Sequence, residues 1–171
     1  MTMTPHTKRC AVVFTLVMAT VPQLMQAQGI YQRKTSAQAQ ITGSPKLRDG
    51  TFGATGVSGI CGEIPKESSM TGTAAFVIEF PNDVPVGTVT SVSFGSKQLV
   101  GGVTKATRFM LNVSVKTANG GRPPAYVLDT ETPKRAHSGT ATLTKKGSAI
   151  TLRVAGKEDM GENITLTVTC M

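Results

Sequence analysis

Between Ser138 and Cys170 the chain reads SGTATLTKKGSAITLRVAGKEDMGENITLTVTC, three runs in which apolar side chains alternate with threonine. Ala141 and Leu143 alternate with Thr140, Thr142 and Thr144, and Ile150, Leu152 and Val154 with Thr151 and Arg153. In the last run Ile164, Leu166, Val168 and Cys170 share one phase, and Thr165, Thr167 and Thr169 the other. Successive side chains of a strand point to opposite faces, so this period of two predicts half-buried antiparallel strands. Lys146-Gly147 supplies a tight hairpin turn, because glycine reaches positive φ without steric cost. The final strand carries Cys170 on its inward phase, where a cysteine can staple the strand to a core.

The same alternation recurs upstream. TRFMLNVSVKT puts Phe109, Leu111, Val113 and Val115 on one phase, and TAAFVIEF puts Phe76, Ile78 and Phe80 opposite Val77. TVTSVSFG turns Val92 and Phe94 inward, AYVLD is a short strand, and QLVGGV is expected to be a short edge strand. TFGATGVSGIC sets Val57 and Cys61 in one phase with Gly59 between them, a strand with close backbone approach or a bulge. No amphipathic helical period and no fixed repeat is visible. About eight short strands punctuated by turn residues predict an all-β fold, an antiparallel β-sandwich or flattened barrel. Residues 51–171 are expected to form this domain, and residues 28–50, polar and poor in apolar side chains, a flexible tail or tether with room for a short strand near Ile41.

Residues 1–27 have the form of a secretory signal peptide. His6, Lys8 and Arg9 precede the apolar stretch Ala11–Val21, which is too short to span a bilayer, and Ala27 precedes the best cleavage point. No other run is long enough for a membrane span, so the expected location is the periplasm, the cell surface or the medium. Cys10 lies before the apolar stretch, out of place for bacterial lipidation, and would leave with the signal. Cys61 and Cys170 then remain. They are either two buried thiols or one disulfide, and an oxidising compartment favours the bond. Such a bond would close nearly the whole domain, worth roughly 4–5 kcal/mol in the chain-entropy description.

Formal charge is +8 and falls to +6 when Lys8 and Arg9 leave. A basic exported protein suits an anionic polymer, an envelope glycolipid or a partner protein, or the charge simply keeps it dispersed. Specific nucleic-acid binding is not expected, because few aromatic side chains are free to stack on bases. Parts for catalysis are scarce. His137, in the connector PKRAHSG, is expected to be a solvated loop residue, and no GxSxG elbow is present. One histidine cannot build a zinc site, no cofactor motif occurs, and Lys157–Glu162 is expected to be an ordinary charged hairpin loop rather than a calcium loop.

The C-terminal stretch resembles the end of the mycobacterial 19-kDa lipoprotein antigen family, in which a hairpin with a Lys-Gly turn leads through a Gly-rich acidic loop to a strand ending in Val-Thr-Cys. VSGIC at Val57–Cys61 is similar to that family's first cysteine strand. The resemblance implies that Cys61 and Cys170 are its disulfide pair and that residues 28–50 match its tether. Family members carry a lipidated cysteine that has no counterpart here, so membrane anchoring is not carried over. The expected function is therefore a non-catalytic, exported cell-envelope β-sandwich with a binding or structural role, its ligand held in loops or between sheets. One alternative is an adhesin or pilus-like subunit that donates its N-terminal tail, with Ile30, Ile41 and Leu47 as pocket residues. A second is a secreted hydrolase or an inhibitor of one.

Overall fold

Alanine, glutamine and serine alternate through RKTSAQAQIT, and this run forms a strand, β1 (Arg33–Thr42), in which Ala37, Ala39 and Ile41 are buried. The computed structural model describes residues 33–44, 49–64, 73–81, 83–118, 125–159 and 161–171. β1 lies inside a sheet, hydrogen-bonded antiparallel to β2 (Gly50–Ser58) on one side and to β11 (Asn163–Cys170) on the other. Ala39 faces Phe52 and Leu166 across the two ladders, and Ile41 faces Gly50 and Ile164. The sheet continues through β10 (Ala149–Lys157) and β9 (Ser138–Lys146) to the two-residue β6 (Lys105–Ala106).

A second antiparallel sheet runs in the order β3 (Ile60–Glu63), β4 (Ala74–Glu79), β5 (Val89–Ser96), β7 (Met110–Val115) and β8 (Ala125–Asp129). The inward phases of both sheets form one core. At its centre Phe94 meets Phe76 edge-on at 6.0 Å between ring centroids and Phe109 at 5.6 Å. The protein is thus an all-β sandwich of six and five strands, as expected in class and richer in strands than the sequence suggested.

Three expectations need correction. The tether of residues 28–50 and a domain start near Thr51 give way to a ten-residue interior strand, Arg33–Thr42. Three of its four buried positions hold Thr35, Ala37 and Ala39, which lower the apolar content although every second side chain from Thr35 to Ile41 is buried. Residues 1–32, including the signal segment and Ile30, lie outside the described residues, as does Leu47. The run TFGATGVSGIC is not one strand. It breaks at Gly59, where β2 leaves one sheet and β3 enters the other, and a Cβ there would come within 3.0 Å of the Val77 carbonyl oxygen. Gln98–Val103 is a turn rather than an edge strand. Gly101 and Gly102 adopt φ of 62° and 87°, and the Gln98 side chain accepts the backbone N–H groups of Thr107 and Arg108.

Cys61 and Cys170 form a disulfide that joins β3 of one sheet to β11 of the other, with 6.5 Å between their Cα atoms. The cross-link spans 109 residues, so it removes much of the freedom of the unfolded chain. Replacing both cysteines by serine should lower stability by up to about 5 kcal/mol and make urea unfolding, followed by circular dichroism, insensitive to reductant. A wild-type protein that unfolds at the same urea concentration with and without reductant would contradict this clasp.

Candidate binding cleft and the polar knot beside it

Near the turn of the β9–β10 hairpin the two sheets part, leaving a cleft of about 560 Å³. Arg33, Leu143, Lys145 and Ile150, on the inward phase of the six-stranded sheet, supply one wall. Cys61, Gly62 and Glu63 of β3 supply the other, and Leu99 with Gly102–Thr104 closes the side. Gly62 has φ of 109°, and a Cβ built on it would lie 3.1 Å from Ile150 Cδ1, so the cleft narrows here to glycine against isoleucine. The closing loop is held to β9 by the Leu143 N–H, which donates to the Thr104 carbonyl at 2.8 Å.

Charged groups stand at the rim. Arg33 donates through Nη1 to the Ser148 carbonyl at 2.8 Å, which fixes the guanidinium next to the hairpin turn. Lys145 is exposed beside it. Glu63 accepts a long hydrogen bond of 3.4 Å from the Gly101 N–H of the closing loop. The cleft therefore combines an apolar floor of Leu99, Leu143, Ile150 and the disulfide with two cations on one rim and one carboxylate on the other, a usual composition for a small-ligand site. Of the residues singled out in the sequence, Cys61 lines the cleft and Cys170 bonds to it. Arg33, Glu63 and Lys145 were not singled out. Their convergence depends on two strand pairings that are distant in the chain.

At the other end of the β9–β10 hairpin, Gly139 and Gly156 face each other, and the edge of the five-stranded sheet closes over them. A Cβ at Gly156 would collide with Leu128 Cδ2 and come within 2.7 Å of the Ser138 carbonyl oxygen. Beside this contact lies a knot of polar side chains. Asp129 is buried, accepting the N–H groups of Glu131 and Thr132 at Oδ1 and the Thr132 hydroxyl at Oδ2, 2.6 Å away. The Thr132 hydroxyl bond is the main reason its carboxyl is held below the usual aspartate range. Burial opposes this, while the backbone N–H groups of Thr132 and Glu131 and the Arg135 guanidinium reinforce it.

His137 is not the solvated loop residue expected. Its side chain is 8% exposed, and Nδ1 accepts the Asp129 backbone N–H at 2.9 Å. That bond places the ring proton on Nε2, which points towards Asp159 Oδ2 at 3.7 Å. With one nitrogen tied to backbone and the other facing a carboxylate, the imidazole organises the connector, and it does not line the cleft. The acidic loop also differs from a plain charged turn. Glu162 is 1% exposed and accepts the Ser44 hydroxyl at 2.8 Å, and Ser44 lies 3.2 Å from the Tyr126 hydroxyl. Burial raises the Tyr126 phenol above its ordinary range, Ser44 opposes this, and Glu162 and Glu158 add to it. Glu162 shares the inward phase of Ile164, Leu166 and Val168, but nothing in a one-dimensional pattern supplies its partners, which come from residues 44 and 126. Among the described residues no group of three or more His, Cys, Asp or Glu side chains is placed to hold a metal ion, and no helix is long and apolar enough to cross a membrane.

Comparison with known protein families, curated proteins and solved structures finds no match for this chain. The class that the fold defines is an all-β, two-sheet sandwich closed by one inter-sheet disulfide.

Because the folded Asp129 carboxyl is held low, its stabilising effect is present above the ordinary aspartate range and is lost as pH falls through the folded value. Asp129→Asn should lower stability by about 1–3 kcal/mol at neutral pH. Urea titrations from neutral to acid pH should show this gap closing as the wild-type carboxylate is protonated. A gap that stays constant down to the most acid pH would exclude the carboxylate as its source.

Proposed function

We propose that the protein is an exported, non-catalytic β-sandwich of the bacterial cell envelope that works by binding. The observation carrying this reading is the cleft between the sheets at the disulfide, with an apolar floor and the Arg33 and Lys145 cations at one rim. Such a site suits an amphiphile with an apolar body and an anionic end. The secretory form of residues 1–27 and the disulfide both fit an oxidising compartment. The likeness of VSGIC and of the stretch ending in Val-Thr-Cys to the mycobacterial 19-kDa lipoprotein antigen family supports an envelope setting. A non-catalytic role is favoured because the His137 imidazole accepts a backbone N–H at Nδ1 and stands away from the cleft. The donor-strand alternative has less support. Ile41, one of its pocket residues, is buried in the chain's own core, and β1 is already paired on both sides.

The anionic fluorophore anilinonaphthalene sulfonate is a direct probe of the cleft. The folded protein should bind it saturably at one site. Lys145→Glu should weaken binding about fivefold, the scale of one exposed charge pair, and Leu143→Trp should abolish it by filling the floor. Unchanged binding in a folded Leu143→Trp protein would exclude the cleft as the site.

A further inference from the structure

Charge is divided between the two sheets. The strands of the five-stranded sheet contain Glu63, Glu79 and Asp129 and no lysine or arginine. The strands of the six-stranded sheet contain Arg33, Lys34, Lys105, Lys145, Lys146, Arg153 and Lys157 and no acid. Two of these, Arg33 and Lys145, belong to the inward phase and the cleft. The other five fall on the outward phase, and all five are exposed. None of the five makes an ion pair among the described residues. A sheet face whose strands hold five outward cations and no acid carries a positive potential.

Between the cations the face is a carpet of hydroxyls and amides. The strand registers bring Ser36, Thr169, Thr151 and Thr144 into one row across four strands. The next row is Gln38, Thr167, Arg153, Thr142 and Lys105, and a third is Gln40, Thr165, Ala155 and Thr140. Neighbours in a row are about 4.8 Å apart and the rows about 7 Å apart, so the polar groups form a regular two-dimensional array. Two shallow grooves interrupt it where side chains are small. One, of about 510 Å³, lies over Gly53 among Ser36, Gln38, Thr55 and Thr167. The other, of about 450 Å³, lies over Ala155 among Thr140, Lys157, Asn163 and Thr165.

We propose that this outer face is a docking surface for an anionic polysaccharide. The five cations complement carboxylate or phosphate groups along the polymer, and the threonine, serine and glutamine side chains meet its hydroxyls, with the grooves receiving individual sugar units. Nucleic acid fits less well, because the outward phase of these strands has no aromatic side chain on which a base could stack. The surface is separate from the cleft, which opens to the inward phase. Only the polymer's envelope origin rests on the proposed location.

Polygalacturonate is the probe, with dextran as its neutral counterpart and single-stranded oligothymidylate and anionic phospholipid vesicles as competing classes. The disulfide-bonded protein should bind polygalacturonate, with an affinity that falls as salt rises, and should not bind dextran. The double variant Lys105→Gln/Arg153→Gln removes two cations from the central row and should weaken binding about tenfold, roughly the scale of two surface charges. Lys97→Gln/Lys134→Gln removes the same charge from exposed loops outside the face and should change affinity less than twofold. Thr167→Val keeps the charge and strand preference but removes a groove hydroxyl, and should weaken binding measurably. Equal losses in the two double variants, tighter binding to oligothymidylate or vesicles than to polygalacturonate, or no polygalacturonate binding would each overturn the proposal. Leu143→Trp should bind polygalacturonate as the wild type does, so failure of the cleft and failure of this face give different results.

Discussion

The pairing of β1 with β11 is the contact on which the rest of the sandwich depends. Without it the six-stranded sheet separates into a β1–β2 ribbon and the β6–β9–β10–β11 group, and the two no longer present one continuous apolar face to the second sheet. Eight consecutive residue pairs join the two strands, from Thr35 opposite Cys170 to Thr42 opposite Asn163. The pairing also fixes the cleft. It brings Arg33 beside the β9–β10 turn, where its guanidinium reaches the Ser148 carbonyl, and it puts Cys170 where Cys61 can bond to it. The disulfide fastens to the second sheet a strand whose place β1 has already set.

How much of this was legible in the sequence depended on where the inward side chains came from. The C-terminal hairpin, β7 and β4 announce themselves because their inward positions hold Leu, Ile, Val and Phe, whose period of two survives any averaging. β1 was missed because Ala37 and Ala39 fill its inward positions, and alanine barely raises the hydropathy of a run of glutamine and serine. The two cysteines were readable as a candidate pair because setting Cys10 aside with the signal segment leaves only Cys61 and Cys170. The cleft, His137 and Glu162 were not readable, since each is defined by partners far away in the chain. Asp129 lends its backbone N–H to His137, Ser44 lends its hydroxyl to Glu162, and no spacing rule connects such residues. The basic face stood between these cases. Its lysines and arginines were visible, but only the registers showed that they share a surface.

The two sheets solve different problems with the same core. The five-stranded sheet buries the aromatic cluster of Phe76 and Phe94 against Phe109 and carries its acids at strand ends and in the polar knot. The six-stranded sheet buries smaller side chains and leaves its other side to threonine and cations. Threonine suits both demands, since its branched Cβ favours a strand while its hydroxyl remains available to water or to a ligand. Stability and surface chemistry are therefore separable in this protein. Outward threonines and cations can change without disturbing the inward phase that holds the sheets together.

The neighbouring positions of β1 and β11 also impose an order of events. A chain that is made, or threaded through a pore, from its amino end presents β1 long before β11 has appeared. In that interval β1 has only β2 beside it, and an isolated two-stranded ribbon is marginal in water. Its other hydrogen-bonding edge waits for β11, whose residues arrive more than a hundred positions later. The long-range closure that makes the finished sandwich hold together also leaves the growing chain loose until β11 has been made. Because Cys170 closes β11, the bond to Cys61 can form only after that strand has been made.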